Sequence, residues 1–442
     1  MPARPRAGAR LDLWQRMHWP LVLAVGGAPQ RAYGFACMTQ HHPTTAGLRR
    51  RLGLPLLVLY GVGITIGAGI YVLIGAVANH AGAYAPWSFL LAAAVMALTV
   101  GSYAELATRF PVSAGEAAYV RAAFGSRTAS TLTGLLTIMI GVVASATVAI
   151  GAAGYIGQFV ALPPGLIVAL VLLVLGAVAV WGILESVLLA SLFTLIETGG
   201  LLAIIVAAWH SGLSVNVPLS IPSDGQLLAG IGYASLLAFF AFIGFEDLAN
   251  VVEEAKLPHR DIPRAMMLTL VIATVLYVTV AAVAVSAVPA ERLAASRAPL
   301  SLVFRAVADV SPATISAIAI VATLNTILAQ ITMAARVIYG MARQGDLPHA
   351  VGRVHPKTGT PVLATGLIVL GTLALALLVP FERLAEGTSL ATLLVFALVN
   401  LSLLRLRRRK FHTPGPHVRV PLIVPLAGLL SCMAMMAASV LG

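Results

Sequence analysis

Charge is what this chain has least of. Only 10% of its 442 residues are Asp, Glu, Lys or Arg, against about a quarter in a soluble globular domain. That scarcity excludes an ordinary soluble enzyme or binding module. Cysteine is nearly absent. Cys37 and Cys432 lie far apart and form neither a disulfide framework nor a metal-ligand spacing. The ten histidines fall in the tail, loops and span edges and make no convincing ligand set with carboxylates, so neither a metal nor a cofactor is expected. No nucleophile–base pair stands out in the apolar runs, which argues against a membrane enzyme. Acidic residues are scarcer than basic ones, 16 against 28, leaving a net charge of +12. Such an excess could suggest nucleic-acid binding, but most of the basic residues sit in short loops between apolar runs, so no nucleic-acid partner is expected. Lysine contributes three of the 28, a bias associated with GC-rich bacterial genomes.

What is abundant is apolar: 59% of residues are hydrophobic, and the mean hydropathy is +0.95. Runs of about 20 such residues recur, the length a helix needs to cross a bilayer. Spans are predicted at about 54–78, 84–107, 128–153, 164–182, 186–209, 228–250, 262–288, 312–342, 361–380, 387–404 and 420–441. The fold class is therefore an all-α polytopic membrane protein with the lipid bilayer as its solvent. If loops alternate sides, 24 of the 28 basic residues fall on one side and only Arg292, Arg297, Arg305 and Arg383 on the other. The positive-inside rule then makes the N-terminus cytoplasmic, as in a bacterial inner-membrane protein. Residues 1–47 read as a cytoplasmic tail or as the product of a start codon set upstream of Met38. Residues 48–410 read as the core, and 411–442 as one additional helix. Eleven spans is an odd count, leaving open a genuine eleven-span form or a missing twelfth.

One stretch contradicts its surroundings. Gly61-Val62-Gly63-Ile64-Thr65-Ile66-Gly67-Ala68-Gly69-Ile70-Tyr71 puts four glycines in the middle of the first span. Each costs about 1 kcal/mol against alanine in a helix interior. Glycines at that depth let the helix unwind and bare backbone groups, which a membrane tolerates only against protein or a wet cavity. The sixth span repeats the device in Phe239-Phe240-Ala241-Phe242-Ile243-Gly244-Phe245-Glu246-Asp247. Interrupted spans at corresponding positions of two halves point to an inverted-repeat transporter of five plus five helices with broken first and sixth helices. The half-helix starting near Gly67 would aim its N-terminus at an anion. Carbonyls around Ile64 and Thr65, and from Phe240 to Ile243, would accept from an ammonium. That combination suits the backbone part of an amino acid. The competing reading is that the glycines only let helices pack closely.

With these segments the chain resembles the amino acid–polyamine–organocation permeases. Tyr103-Ala104-Glu105-Leu106, Phe110-Pro111-Val112-Ser113-Ala114-Gly115-Glu116, Glu253-Glu254-Ala255-Lys256-Leu257-Pro258 and Ala335-Arg336-Val337-Ile338-Tyr339-Gly340 are similar to that superfamily's motifs, over about residues 48–410. The resemblance implies amino acid or amine transport. Carried over by position, it implies a substrate carboxylate at the amides near Ala68 and Gly69, and its amino group at the carbonyls of Ile64, Phe240, Ala241 and Ile243. Some proton-coupled members carry a fifth-span lysine. Here the matching segment reads Leu195-Ile196-Glu197-Thr198, so that scheme does not transfer.

Glu197 lies mid-span, where an unpaired charge costs several kcal/mol. It is a candidate carrier of the coupling proton, or holder of another cation, against the plainer reading of a hydrogen-bonded structural residue. Glu246 and Asp247 are candidates for a gate or for reading a cationic side chain. Adjacent helical residues point about 100° apart, so only one is expected to face a pocket. Pairing with Arg109 or Arg336 is the alternative. Asn325 either lines the site or bonds between helices, and Glu105 with Arg109 reads as a structural i,i+4 pair. The expected function is secondary active transport of amino acids, proton-coupled. An amino acid/amine exchanger is the nearest alternative, and a transporter-like sensor is more distant. A channel would need more polar lining than these spans offer.

Overall fold

The computed structural model describes residues 52–67, 69–111, 115–181, 187–220, 222–308, 311–411 and 416–441. Residues 1–51, with both readings of the tail, lie outside the described residues. Helices dominate. Among the described residues there is no sheet, only an isolated parallel bridge between Leu52 and Ala255.

The first apolar run becomes two helices, α1 (Leu54–Ile66) and α2 (Gly69–Ala81). Then come α3 (Ala85–Arg109), the short α4 (Gly115–Phe124), α5 (Arg127–Ile156), α6 (Pro164–Trp181) and α7 (Val187–His210). The sixth run is α8 (Gly225–Phe240), an interruption, and a 3₁₀ turn over Phe245–Ala249. The chain continues through α9 (Pro258–Ala287), α10 (Ala290–Ala295), α11 (Pro299–Val307), α12 (Ala313–Arg343), α13 (Val362–Leu378), α14 (Phe381–Arg408) and α15 (Ile423–Leu441). Every predicted span has its helix within a few residues. Among the described residues, eight helical stretches are long and apolar enough to cross a membrane, and three apolar helices are shorter. Together with the composition, they make this a multi-pass membrane protein.

Local chemistry explains the starts. Proline stands in the first turn of α1, α3, α9 and α11, where its missing N–H would have had no helical partner. Ser126 caps α5 by accepting from the Ala129 amide at 3.2 Å. Asp224 caps α8 through the Gln226 amide at 2.9 Å. Helices α4, α10 and α11 fall where the hydropathy pattern predicts only loops. They are too short to register as spans, and α11 is amphipathic, burying Leu300, Val303, Phe304 and Val307 while Arg305 stays exposed.

Packing centres on the two interrupted runs. Helix α1 lies against α7 and α9, α2 against α8, and α5 against α12. Large apolar side chains that stay exposed, such as Val174, Trp181, Leu195 and Trp209, lie on α6 and α7. In a bilayer that exposure costs nothing, because lipid chains are as apolar as leucine.

Candidate functional site

Both breaks occur where the glycines predict them. Helix α1 ends at Gly67, whose amide still bonds the Gly63 carbonyl at 3.0 Å, and α2 starts at Gly69. Ala68 lies outside the described residues. In the sixth run, regular α geometry gives way to i→i−3 bonds from Ala241, Phe242 and Ile243. Gly244 then takes φ +132°, a conformation that L side chains rarely adopt.

The two interruptions face each other. A Cβ on Gly69 would collide with the Cα of Ala241, and one on Gly244 would come within 2.7 Å of the Ile64 side chain. The glycines therefore serve both readings at once: they break the helices and let the broken segments touch. Tyr277 of α9 ties them together. Its hydroxyl lies 2.7 Å from the Thr65 carbonyl and 2.9 Å from the Ala241 carbonyl. A single O–H so serves one acceptor from each break. The Phe240 carbonyl is taken by the Ile243 amide at 3.1 Å. Of the carbonyls expected to receive an ammonium, those of Thr65, Phe240 and Ala241 thus already have a donor in this conformation. Each keeps a second lone pair. Thr65 is buried, and its own hydroxyl has no hydrogen-bond partner.

Glu197 and Asn325, singled out separately, meet. The Asn325 Nδ2 donates to Glu197 Oε1 at 3.1 Å across 128 residues of sequence. The Glu197 side chain is fully buried and its Oε2 has no hydrogen-bond partner. Two tyrosines lead from it back to the first break. The Tyr71 hydroxyl donates to the Glu197 backbone carbonyl at 2.6 Å, and the Tyr155 hydroxyl to the Tyr71 carbonyl at 2.5 Å. The Glu197 main chain is thus bonded to a side chain of α2, whose own backbone is held by Tyr155.

Beyond the second break lies a cavity with three carboxyls on its wall, those of Glu116, Glu246 and Asp247, alongside Asn250 and Gln330. Among the described residues, no Lys or Arg lines it. Both Glu246 and Asp247 reach this cavity, where helical spacing predicted only one. The segment is not α-helical there, and Glu246 folds back so that its Oε2 accepts from the Gly244 amide at 2.8 Å. Asn250 donates to Asp247 at 3.4 Å. Glu116, on α4, accepts from the Tyr103 hydroxyl at 2.9 Å. Burial pushes the Glu116 carboxyl above the usual carboxylate range, and that hydrogen bond only partly offsets it. Arg109 is not a partner of Glu246 or Asp247; it pairs with Glu105 at 2.8 Å.

Tyr277 is the residue that sequence reasoning missed. It sits in the apolar α9 run between Leu276 and Val278, and a lone hydroxyl at mid-span was the available signal, because buried tyrosines find acceptors. Glu116 and Tyr103 lie in stretches read as family motifs without a role of their own.

Residues 52–441 match the amino acid permease family model. The chain is 30% identical to the branched-chain amino acid permease BcaP of Bacillus subtilis, with 87% of each chain covered. It is 32% identical to the vacuolar cationic amino acid transporter 2 of Arabidopsis thaliana, covering 81% of this chain and 60% of that one. It is also 32% identical to an uncharacterized transporter of Mycobacterium bovis, Mb2022c, covering 88% and 86% respectively.

Proposed function

This chain belongs to the amino acid permease family, and from that premise we propose that it moves amino acids across a bacterial inner membrane by proton-coupled secondary transport. The arginine-rich face is then cytoplasmic. The two breaks form the substrate site of a five-plus-five inverted repeat, residues 48–410, with α15 in the additional segment 411–442. The observation that carries the reading is the contact of two interrupted helices, each the first of five spans, through Gly69–Ala241 and Gly244–Ile64. Backbone groups freed at such breaks are the recognition chemistry of this transporter class.

In this reading the substrate carboxylate sits at the N-terminus of α2, near Gly67, Ala68 and Gly69, where the helix end is partially positive. Its ammonium meets the carbonyls of the facing breaks, at Ile64, Thr65, Phe240, Ala241 and Ile243. To reach Thr65 and Ala241 it shares or displaces the Tyr277 hydroxyl. Substrate thereby replaces an internal bond that holds the breaks together, which gives it different affinities for two conformations, as alternating access requires. Glu197 carries the coupling proton. Its one neutral partner, Asn325, and its open Oε2 leave room for a proton to come and go, and Tyr71 relays the change to α2.

The acidic cavity favours a cationic side chain. Three carboxyls on a wall that no described Lys or Arg lines are costly to bury and are complemented by a guanidinium or an ammonium. Among the relatives, the cationic amino acid transporter fits that preference better than the branched-chain permease.

The test is uptake of a radiolabelled amino acid panel into liposomes, with and without an inward-acid gradient. Gradient-stimulated uptake of arginine or lysine above leucine is the expected result. Uptake that ignores the gradient but rises with internal substrate would replace symport with exchange. Preference for leucine would overturn the reading of the cavity.

A further inference from the structure

At the arginine-rich end of α14, a slot opens between that helix and the start of α15. It is lined by Leu404, Arg405, Arg408 and Arg409 of α14 and by Leu426 and Leu429 of α15. The three arginines lie at i, i+3 and i+4, so they share one helix face. No carboxylate among the described residues pairs with any of them. They are not needed to cap the helix either, because the carbonyls of residues 405, 406 and 407 already accept from the amides of 409, 411 and 410. Arg405 is held in place by its neighbours. Its Nε donates to the Ala123 carbonyl at 3.1 Å, and its guanidinium sits 4.9 Å from the centre of the Phe124 ring. Arg408 and Arg409 are exposed.

The polarity of the slot is ordered. The guanidiniums stand at the end of α14, while Leu426, 43% exposed, and Leu429 lie one to two turns into α15. A topological signal alone would need arginines anywhere in the loop; it would need neither their shared face nor the leucines of a second helix.

We infer that this slot binds an anionic phospholipid, its phosphate on Arg405, Arg408 and Arg409 and an acyl chain along Leu426 and Leu429. Basic pockets between spans suit such headgroups. The lipid would join α14, which borders the acidic cavity through Thr392, Val395 and Phe396, to α15. The site thereby couples lipid composition to a wall of the transport path.

The experiment uses the full chain in phosphatidylcholine nanodiscs titrated with phosphatidylglycerol, read by lipid retained in native mass spectrometry and by the thermal unfolding midpoint. Retention of phosphatidylglycerol over phosphatidylcholine, weakened by salt, is expected. R405Q/R408Q/R409Q should weaken it by about fivefold per arginine removed. R260Q/R353Q/K357Q, equal in charge but on other segments of the arginine-rich side, should change it by less than about twofold, since distant charges are screened. L426W, which leaves the charge intact, should also expel the lipid and serves if the triple variant does not fold. The inference is overturned if the two triple variants lose binding equally, if L426W retains the lipid fully, or if soluble glycerol phosphate stabilises the chain as well as the lipid does. It is independent of the substrate assay, so failure of either leaves the other standing.

Discussion

Two glutamates, both fully buried, show how the same side chain can meet opposite surroundings. Glu105, near the arginine-rich end of α3, is saturated. Its Oε1 receives Arg109 at 2.8 Å and Arg407 Nε at 3.0 Å. Its Oε2 receives the Arg407 Nη2 and, at 2.9 Å, the Val420 amide. Glu197, at the centre of α7, has one neutral donor and an oxygen with no hydrogen-bond partner. Two guanidiniums pair with Glu105, which joins α3, α14 and the lead-in to α15. Among the described residues no guanidinium pairs with Glu197. Depth alone does not decide what a buried carboxyl does; the donors around it do.

The strongest way to break this contrast is to remove Glu105. Glu105→Ala leaves two guanidiniums, with side chains 6% and 18% exposed, without their counter-ion. The expected loss is about 3–5 kcal/mol, enough to prevent recovery of folded protein in detergent. Folded, stable protein from that variant would make the cluster incidental. Glu197→Gln should do the reverse. The amide keeps the shape and can still bond Asn325, so the unfolding midpoint should barely move. Gradient-stimulated uptake should fall by at least about tenfold, as for loss of a group acting in proton transfer. Wild-type uptake with unchanged pH dependence would remove Glu197 from coupling.

Tyr277→Phe sharpens the comparison from the side of the breaks. It removes one hydroxyl shared by two buried carbonyls, so the empty protein should lose about 1–2 kcal/mol. The extra thermal stabilisation given by saturating substrate should grow, because substrate no longer competes with the hydroxyl. An unchanged ligand-induced shift would mean that the ammonium does not use Thr65 and Ala241. The smallest effect belongs to Arg383, 73% exposed, whose Nη1 lies 3.1 Å from Glu386 one helical turn on. Arg383→Gln should cost less than about 1 kcal/mol, as surface ion pairs do, read as a small shift in the same midpoint.

Much of the fold was legible because a bilayer imposes a length and a polarity that composition reveals. The eighth span, predicted at 312–342, is Ala313–Arg343. The breaks were legible too, because glycine is costly in a helix and Gly67 and Gly244 needed a reason. Glu197, Asn325, Glu246 and Asp247 stood out since polar groups are rare in such spans. Their partners did not. Asn325 meets Glu197 across 128 residues, and Arg407 meets Glu105 across 302. No local pattern encodes pairings at that range.

By itself, the sequence determined that the chain spans a membrane many times, where its helices lie, where two of them fail, and which few polar residues are buried at depth. These follow from hydropathy, helix propensity and the cost of burying charge, all properties of short segments. Tertiary structure alone decided that the two failures touch, that Tyr277 serves a carbonyl from each, and that three carboxyls share the wall of one cavity. It also decided that one buried glutamate is saturated while another is left half-bonded. Each of these depends on distances between segments far apart in the chain, which packing sets.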